Sequence, residues 1–252
     1  MNRPPVAPIP RELSAAGGFH TTRWTLVIQA KERSNAGGEA LRELCAAYYA
    51  PIIAFLRRRG HAADEARELA HDFFAAVLAG DAIGGADQLR GRFRSYLLGA
   101  VKHFLSHLRE AQQRQRRGGG VTPLSLDRAD EDAPVLAIAD DGQLSPDAAF
   151  DRQWALTTLE RALQALRQEC ADAGRAQLFD ALQAQLTGDA GHGEQAALAE
   201  SLGMNPNSLK STVHRLKLRF RVLVKELIAV TLDDENAVEE EMASLYAALR
   251  GG

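Results

Sequence analysis

No stretch of this chain alternates β-branched with polar residues, and alanine and leucine dominate its periodic segments. This feature constrains the fold more than any other. Alanine and leucine at 3.6-residue spacing make helices, whereas strands need a period of two. The fold class is therefore read as all-α. Helices are expected at 24–32, 39–59, 62–79, 87–114, 151–171, 174–186, 194–202, 206–229 and 235–249. Gly118, Gly119 and Gly120 break the chain after a basic run, and the residues from there to about Ser145 are polar, acidic and proline-containing. They read as a linker. No Gly-Lys-Ser/Thr follows the three glycines, so they do not form a phosphate-binding loop.

The expected organisation is two helical domains on a tether. Residues 1–19 form a disordered, proline-rich start, and 20–115 a helical domain. Residues 116–150 form a flexible acidic linker, 151–230 a second helical domain, and 231–252 an acidic, helical extension. A chain of 252 residues with 46% hydrophobic content is ample for a buried core. No apolar run reaches bilayer-spanning length, no signal peptide is evident, and no membrane partner is expected. Cys45 and Cys170 make neither a metal spacing nor a disulfide framework. A reducing, cytoplasmic setting fits them.

The formal net charge of -3 hides segregation. Arg90 to Arg117 holds Arg90, Arg92, Arg94, Lys102, Arg109, Arg114, Arg116 and Arg117 against one acid, Glu110. Lys210 to Lys225 adds Lys210, Arg215, Lys217, Arg219, Arg221 and Lys225 with no acid. Between them, Asp127 to Asp151 carries eight acids and one base, Arg128. Two basic helices flanking an acidic connector suggest two contacts with one polyanion, joined so that each raises the effective concentration of the other.

The later basic segment has a recognisable shape. Ala197, Leu198 and Leu202 share a helix face, and Gly203 can end that helix at positive φ. Asn205 is a good N-cap and Pro206 suits the first helical position. The next helix turns Leu209, Val213, Leu216 and Phe220 inward and offers Asn207, Ser208, Lys210, Ser211, His214, Arg215 and Lys217 outward. Short polar and basic residues at the start of a second helix suit a DNA major groove, although a helical hairpin with a solvated basic face has the same pattern.

Three further features precede the linker. In DEARELAHDFFAAVL, Asp64, Glu65, Glu68 and Asp72 form one stripe beside an apolar face of Ala66, Leu69, Phe73 and Val77. That is either an ordinary amphipathic helix or a docking surface for a basic partner. In Gly91 to Arg117, Phe93, Tyr96 and Phe104 are interleaved with basic residues, which suits single-stranded nucleic acid. Taken alone, Phe93 and Leu97 suit a core and Tyr96 suits either role. Trp24, in TTRWTLVIQA, reads as core.

In this order the parts resemble the extracytoplasmic-function sigma factors of bacterial RNA polymerase, from about Thr21 to Ala229. Leu202 to Lys217, LGMNPNSLKSTVHRLK, is similar to the family's minus-thirty-five reader. The run Glu65-Ala66-Arg67-Glu68-Leu69 with Asp72-Phe73-Phe74 is similar to its polymerase-clamp helix, and Phe93-Arg94-Ser95-Tyr96-Leu97 to the start of its minus-ten segment. The resemblance implies a promoter-specificity subunit whose partners are core RNA polymerase and promoter DNA. An anti-sigma factor or a regulatory kinase is the further partner the family suggests. It assigns Asn207, Ser208, Lys210, Ser211, His214, Arg215 and Lys217 to the minus-thirty-five duplex. Arg92, Phe93, Arg94, Tyr96, Lys102, His103 and His107 fall to the minus-ten strand. Asp64, Glu65, Glu68, Asp72 and Phe73 fall to polymerase.

The chain departs from the family in three places. Arg67 stands where an acid is usual, though off the stripe, about 160° round the helix from Glu65. Some relatives that lack this acidity are switched on by a kinase that phosphorylates a hydroxyl in the same helix. No Ser or Thr occurs between Ser34 and Ser95, so that switch cannot operate at this helix. His103, Ser106 and His107 replace the usual Asn and Asp of the minus-ten helix. The tail from Thr231 extends past the family's end, with Asp233, Asp234, Glu235, Glu239, Glu240 and Glu241 and then Met242, Leu245, Tyr246 and Leu249 at helical spacing. Its acids either fold back on the Lys210–Lys225 helix or lie on a solvated face. His103 and His107 lack a third ligand, so no metal or other cofactor is expected. No nucleophile–base pairing is visible, and no enzymatic activity is expected. The alternatives are a helix-turn-helix regulator acting without being a polymerase subunit, and an adaptor that binds only proteins.

Overall fold

The computed structural model describes residues 34–78, 92–118, 144–187, 192–232 and 236–250, and every regular element among them is an α-helix. In chain order these are α1 (Asn35–Arg58), α2 (Ala63–Leu78), α3 (Phe93–Gly118), α4 (Pro146–Asp172), α5 (Ala176–Thr187), α6 (His192–Ser201), α7 (Pro206–Ala229) and α8 (Asn236–Arg250). The expected helix at 24–32, Trp24, and most of the expected linker lie outside the described residues.

Capping chemistry sets the helix limits. Ser34 accepts the Gly37 N–H at 3.0 Å, so α1 begins at Asn35, four residues before the expected start, and runs through Gly37 and Gly38. Ser145 accepts the Ala148 N–H at 3.1 Å ahead of Pro146, which starts α4 five residues before the expected 151. At the other end of α6, Gly203 has φ 63°, its N–H donates to the Glu200 carbonyl at 3.0 Å, and the Met204 N–H donates to Ala199 at 2.8 Å. This paired closure satisfies two carbonyls that the ending helix leaves open. The same two-bond pattern follows α1 at Gly60 and α4 at Gly174.

Helix α4 is the hub, packing against α1, α5, α7 and α8. Its α1 contact is the most extensive, with α1 supplying Leu44, Tyr48, Ile52 and Phe55 and α4 supplying Phe150, Trp154 and Ala155. Tyr48 joins three helices. Its ring stacks on Phe150 at 6.5 Å and meets Phe93 of α3 edge-on at 5.5 Å. One cluster of buried apolar residues thus runs through both expected domains, from Ala40 to Leu105 and from Phe150 to Leu245. Burying side chains of this size stabilises by about 1.5–3 kcal/mol each before ordering is counted. A separate small cluster of Leu182, Ala199 and Leu209 joins α5, α6 and α7. Within the tail, Asn236–Arg250 form a helix. Val238, Met242 and Leu245 of α8 are buried, whereas Tyr246 is exposed. None of the helices is long and apolar enough to cross a membrane, among the described residues.

Candidate nucleic-acid interface

The start of α7 is built by its cap. The Asn205 side chain accepts the Asn207 and Ser208 N–H groups at 2.8 and 3.1 Å, and Pro206 follows at the first helical position. Leu209 and Thr212 are buried below, with Val213 and Leu216 against the small cluster. That anchoring leaves Asn207, Ser208, Lys210, Ser211, His214, Arg215 and Lys217 all exposed. Positions 207, 210, 211, 214, 217, 218 and 221 follow one stripe at helical spacing, about 21 Å long. The stripe is basic at Lys210, Lys217 and Arg221 and apolar at Leu218, which is 53% exposed. Arg215 lies beside it, donating to the Thr212 hydroxyl at 3.2 Å.

The second half of α7 is different. Arg219 donates to both Glu169 oxygens, at 2.6 and 3.0 Å, and to Glu226 at 3.1 Å. The Glu169 hydrogen bonds, chiefly, raise its pKa above the ordinary arginine value. Lys225 is paired with Glu239 of α8, and this bond from Lys225 lowers the Glu239 pKa.

The cations at the start of α3 are similarly taken. Arg94 is 9% exposed and grips Glu241 of α8 in two-pronged fashion, from Nε at 2.8 Å and Nη2 at 3.2 Å. It also pairs with Asp151 of α4, and its guanidinium lies 4.5 Å from the Trp154 ring centroid. Burial alone would lower the Arg94 pKa. The hydrogen bonds and charges of Glu241 and Asp151 outweigh it and hold the pKa above the ordinary value. Arg92 reaches Glu241 at 3.0 Å, Glu240 at 3.1 Å and the Ser244 hydroxyl at 3.2 Å. Lys102 meets Asp147 at 2.7 Å.

Of the other residues assigned to the minus-ten strand, Phe93 is buried against Tyr48, and Tyr96 is half-buried and stacked on Phe93 at 6.2 Å. His103 and His107 are exposed, with their Nε2 atoms 3.1 Å apart. No group of three metal-ligating side chains occurs among the described residues. A cavity of about 20 Å³ lined by Tyr48, Trp154, Thr157 and Thr231 has room for roughly one water molecule, which is too small for a substrate.

On α2, Asp64, Glu65, Glu68 and Asp72 are all exposed, while Ala66, Leu69, Phe73 and Val77 are buried. Phe73 lies in the core, edge-on to Phe74 and Phe104, and adds nothing to the acidic surface. Arg67 does reach the stripe, donating to Asp64 at 2.6 Å. Glu65 also meets His61 at 3.0 Å, and Glu68 and Asp72 are exposed.

Sequence reasoning missed the four carboxylates that hold α3: Asp147, Asp151, Glu240 and Glu241. The signal for the two tail acids is the acid run itself, which reads either as folding back on the Lys210–Lys225 helix or as a solvated face. Glu239 pairs with Lys225, whereas Glu240 and Glu241 go to Arg92 and Arg94. No protein-family model matches the chain, and no curated protein or solved structure matches it.

Proposed function

We propose that the chain is a sigma factor of the extracytoplasmic-function type, which directs core RNA polymerase to particular promoters. In this reading α6 and α7 form a helix-turn-helix whose exposed α7 face enters the major groove of the minus-thirty-five duplex. Lys210, Arg215 and Lys217 supply phosphate or base-edge contacts there. The α3 segment with Arg92, Arg94, Tyr96 and Lys102 belongs to a second domain that holds the melted minus-ten strand. The Glu68–Asp72 part of α2 docks on the polymerase clamp. The observation that supports this most is the α7 surface: seven polar or basic residues, all exposed, behind a capped turn. The order of the three motifs gives that surface its place in a sigma factor.

The test is run-off transcription with core polymerase and a set of candidate promoters. Initiation that depends on this protein is expected, and its absence across promoters selected by polymerase co-purification rejects the reading. A second reading draws on the shared core of the two halves. A compact helix-turn-helix regulator that needs no polymerase would bind duplex DNA tightly alone, and a gel shift with the free protein separates the two.

A further inference from the structure

The carboxylates of Glu240 and Glu241 hold the guanidiniums of Arg92 and Arg94. Resting on the reading that Arg92 and Arg94 face single-stranded DNA, we propose that α8 is a built-in competitor of that strand. In the closed chain its acids hold both guanidiniums, and the strand is captured only as α8 lets go.

The start of α3 attracts anions for two reasons. Arg92 and Arg94 flank its first residue, and its first turn contains no acid to offset the aligned N–H groups of the helix end. Glu241 meets that field with one carboxylate, taking two bonds from Arg94 and a contact from Arg92. Two-pronged guanidinium binding is the geometry that arginine also offers a phosphate, so carboxylate and phosphate are direct rivals. The rival is tethered. Val238, Met242 and Leu245 anchor α8 in the core, which keeps its acids at high effective concentration beside α3.

The hold is graded. The outer contacts have exposed acids: Glu240 on Arg92 is 73% exposed and Glu239 on Lys225 63%. Pairs of that kind are screened by salt and weak. The inner pair, Glu241 with Arg94, has only 3% and 11% of its side chains exposed. A strand arriving along α3 therefore meets the weak contacts first and displaces the buried one last. Before that displacement Tyr96, half-buried and stacked on Phe93, offers only part of its ring.

The experiment uses the full chain and a fluorescein-labelled oligothymidine, followed by anisotropy at several salt concentrations. The Glu240→Gln/Glu241→Gln variant should bind about tenfold more tightly than the wild type, with a steeper salt dependence because more cations meet phosphates. A charge-matched control, Glu39→Gln/Glu160→Gln, changes two exposed acids of α1 and α4 and should bind as the wild type does. Glu241 is buried, so Glu239→Gln/Glu240→Gln is a companion that spares the core, with an expected gain of about two- to threefold. Hydrogen exchange on the wild type reads the release directly: amides of 236–250 should lose protection when oligothymidine saturates the chain. Equal gains in the control, unchanged affinity in both folded variants, or unchanged α8 exchange in the complex overturns the proposal. So does a failure of every form to bind. Run-off initiation in the same preparations then shows whether the sigma-factor reading stands without it.

Discussion

Helices α3 and α7 are close equivalents in composition, yet the cations that lead them have opposite fates. On the first half of α7, Lys210, Arg215 and Lys217 project into solvent. At α3, Arg92 just before the helix and Arg94 and Lys102 within it are met by Glu240, Glu241, Asp151 and Asp147. The boundary even falls within α7, because Arg219 and Lys225 behave as α3 does. Basic runs determine where positive charge is, but tertiary packing decides which of it stays available. The acids that meet Arg92, Arg94 and Lys102 come from α4 and α8, far along the chain, whereas the start of α7 is anchored by a local apolar cluster with α5 and α6.

The comparison breaks most visibly at Arg94. Arg94→Ala leaves Glu241 buried without its main partner, and the expected loss of stability is about 3–5 kcal/mol in urea unfolding. A loss below about 1 kcal/mol would make α3 as free as α7 and erase the contrast.

Next in size is an alkaline effect through Tyr48, which bridges α1, α3 and α4. Burial pushes its pKa up from 10.0 to about 12, against the Thr231 hydrogen bond and the Arg94 charge, which pull it down. The fold holds the neutral phenol, so stability is full below pH 10 and falls as pH rises through 12. The expected loss is about 2–3 kcal/mol over that window. Tyr48→Phe should remove this share of the pH dependence. A separate slope from the Cys45 thiol, pushed up by burial from 9.0 to about 11, remains in both proteins.

Arg215→Ala sharpens the contrast from the α7 side. Its side chain is exposed, so stability should change by less than about 0.5 kcal/mol. Duplex affinity in the polymerase complex should fall by about 1–3 kcal/mol if Arg215 reads a base edge. Arg94 and Arg215 would then show reversed signatures, one costing fold and the other costing binding. Footprinting of the variant holoenzyme measures the second.

Local features of this arrangement were legible in the sequence, and long-range ones were not. The Asn205–Pro206 start and the Gly203 stop appear in the structure as read, because a cap depends on residues within one turn. Ser145–Pro146 is the same signature, but it lies inside a stretch whose acids and prolines read as linker, and that masks the true start of α4 five residues before 151. Gly37 and Gly38 delayed the expected start of α1 in the same way, since tertiary burial of Gly37 and the Ser34 cap outweigh a weak glycine propensity. The motif around Phe73 points it to a surface, whereas its apolar periodicity with Leu69 and Val77 points to the core, where the structure has it. The partners of Arg92 and Arg94 were not legible. Their selection rests on the packing of α8 against α4, which no local pattern encodes.

The smallest effect tests whether α7 is also held. The Lys225 bond lowers the Glu239 pKa, so whatever this pair contributes is present above the ordinary carboxylate range and is lost as pH falls through it. The Glu239 side chain is exposed to solvent, and a screened surface pair contributes little. Glu239→Gln should leave the melting temperature unchanged at 0.15 M salt and pH 7, and wild type and variant should respond alike to acid. A clear drop in the variant, growing as salt is lowered, would mean that α8 grips α7 as firmly as it grips α3. In that case the tail would restrain both basic helices together, and the exposed face from Asn207 to Lys217 would be the remaining free part of one closed polyanion site.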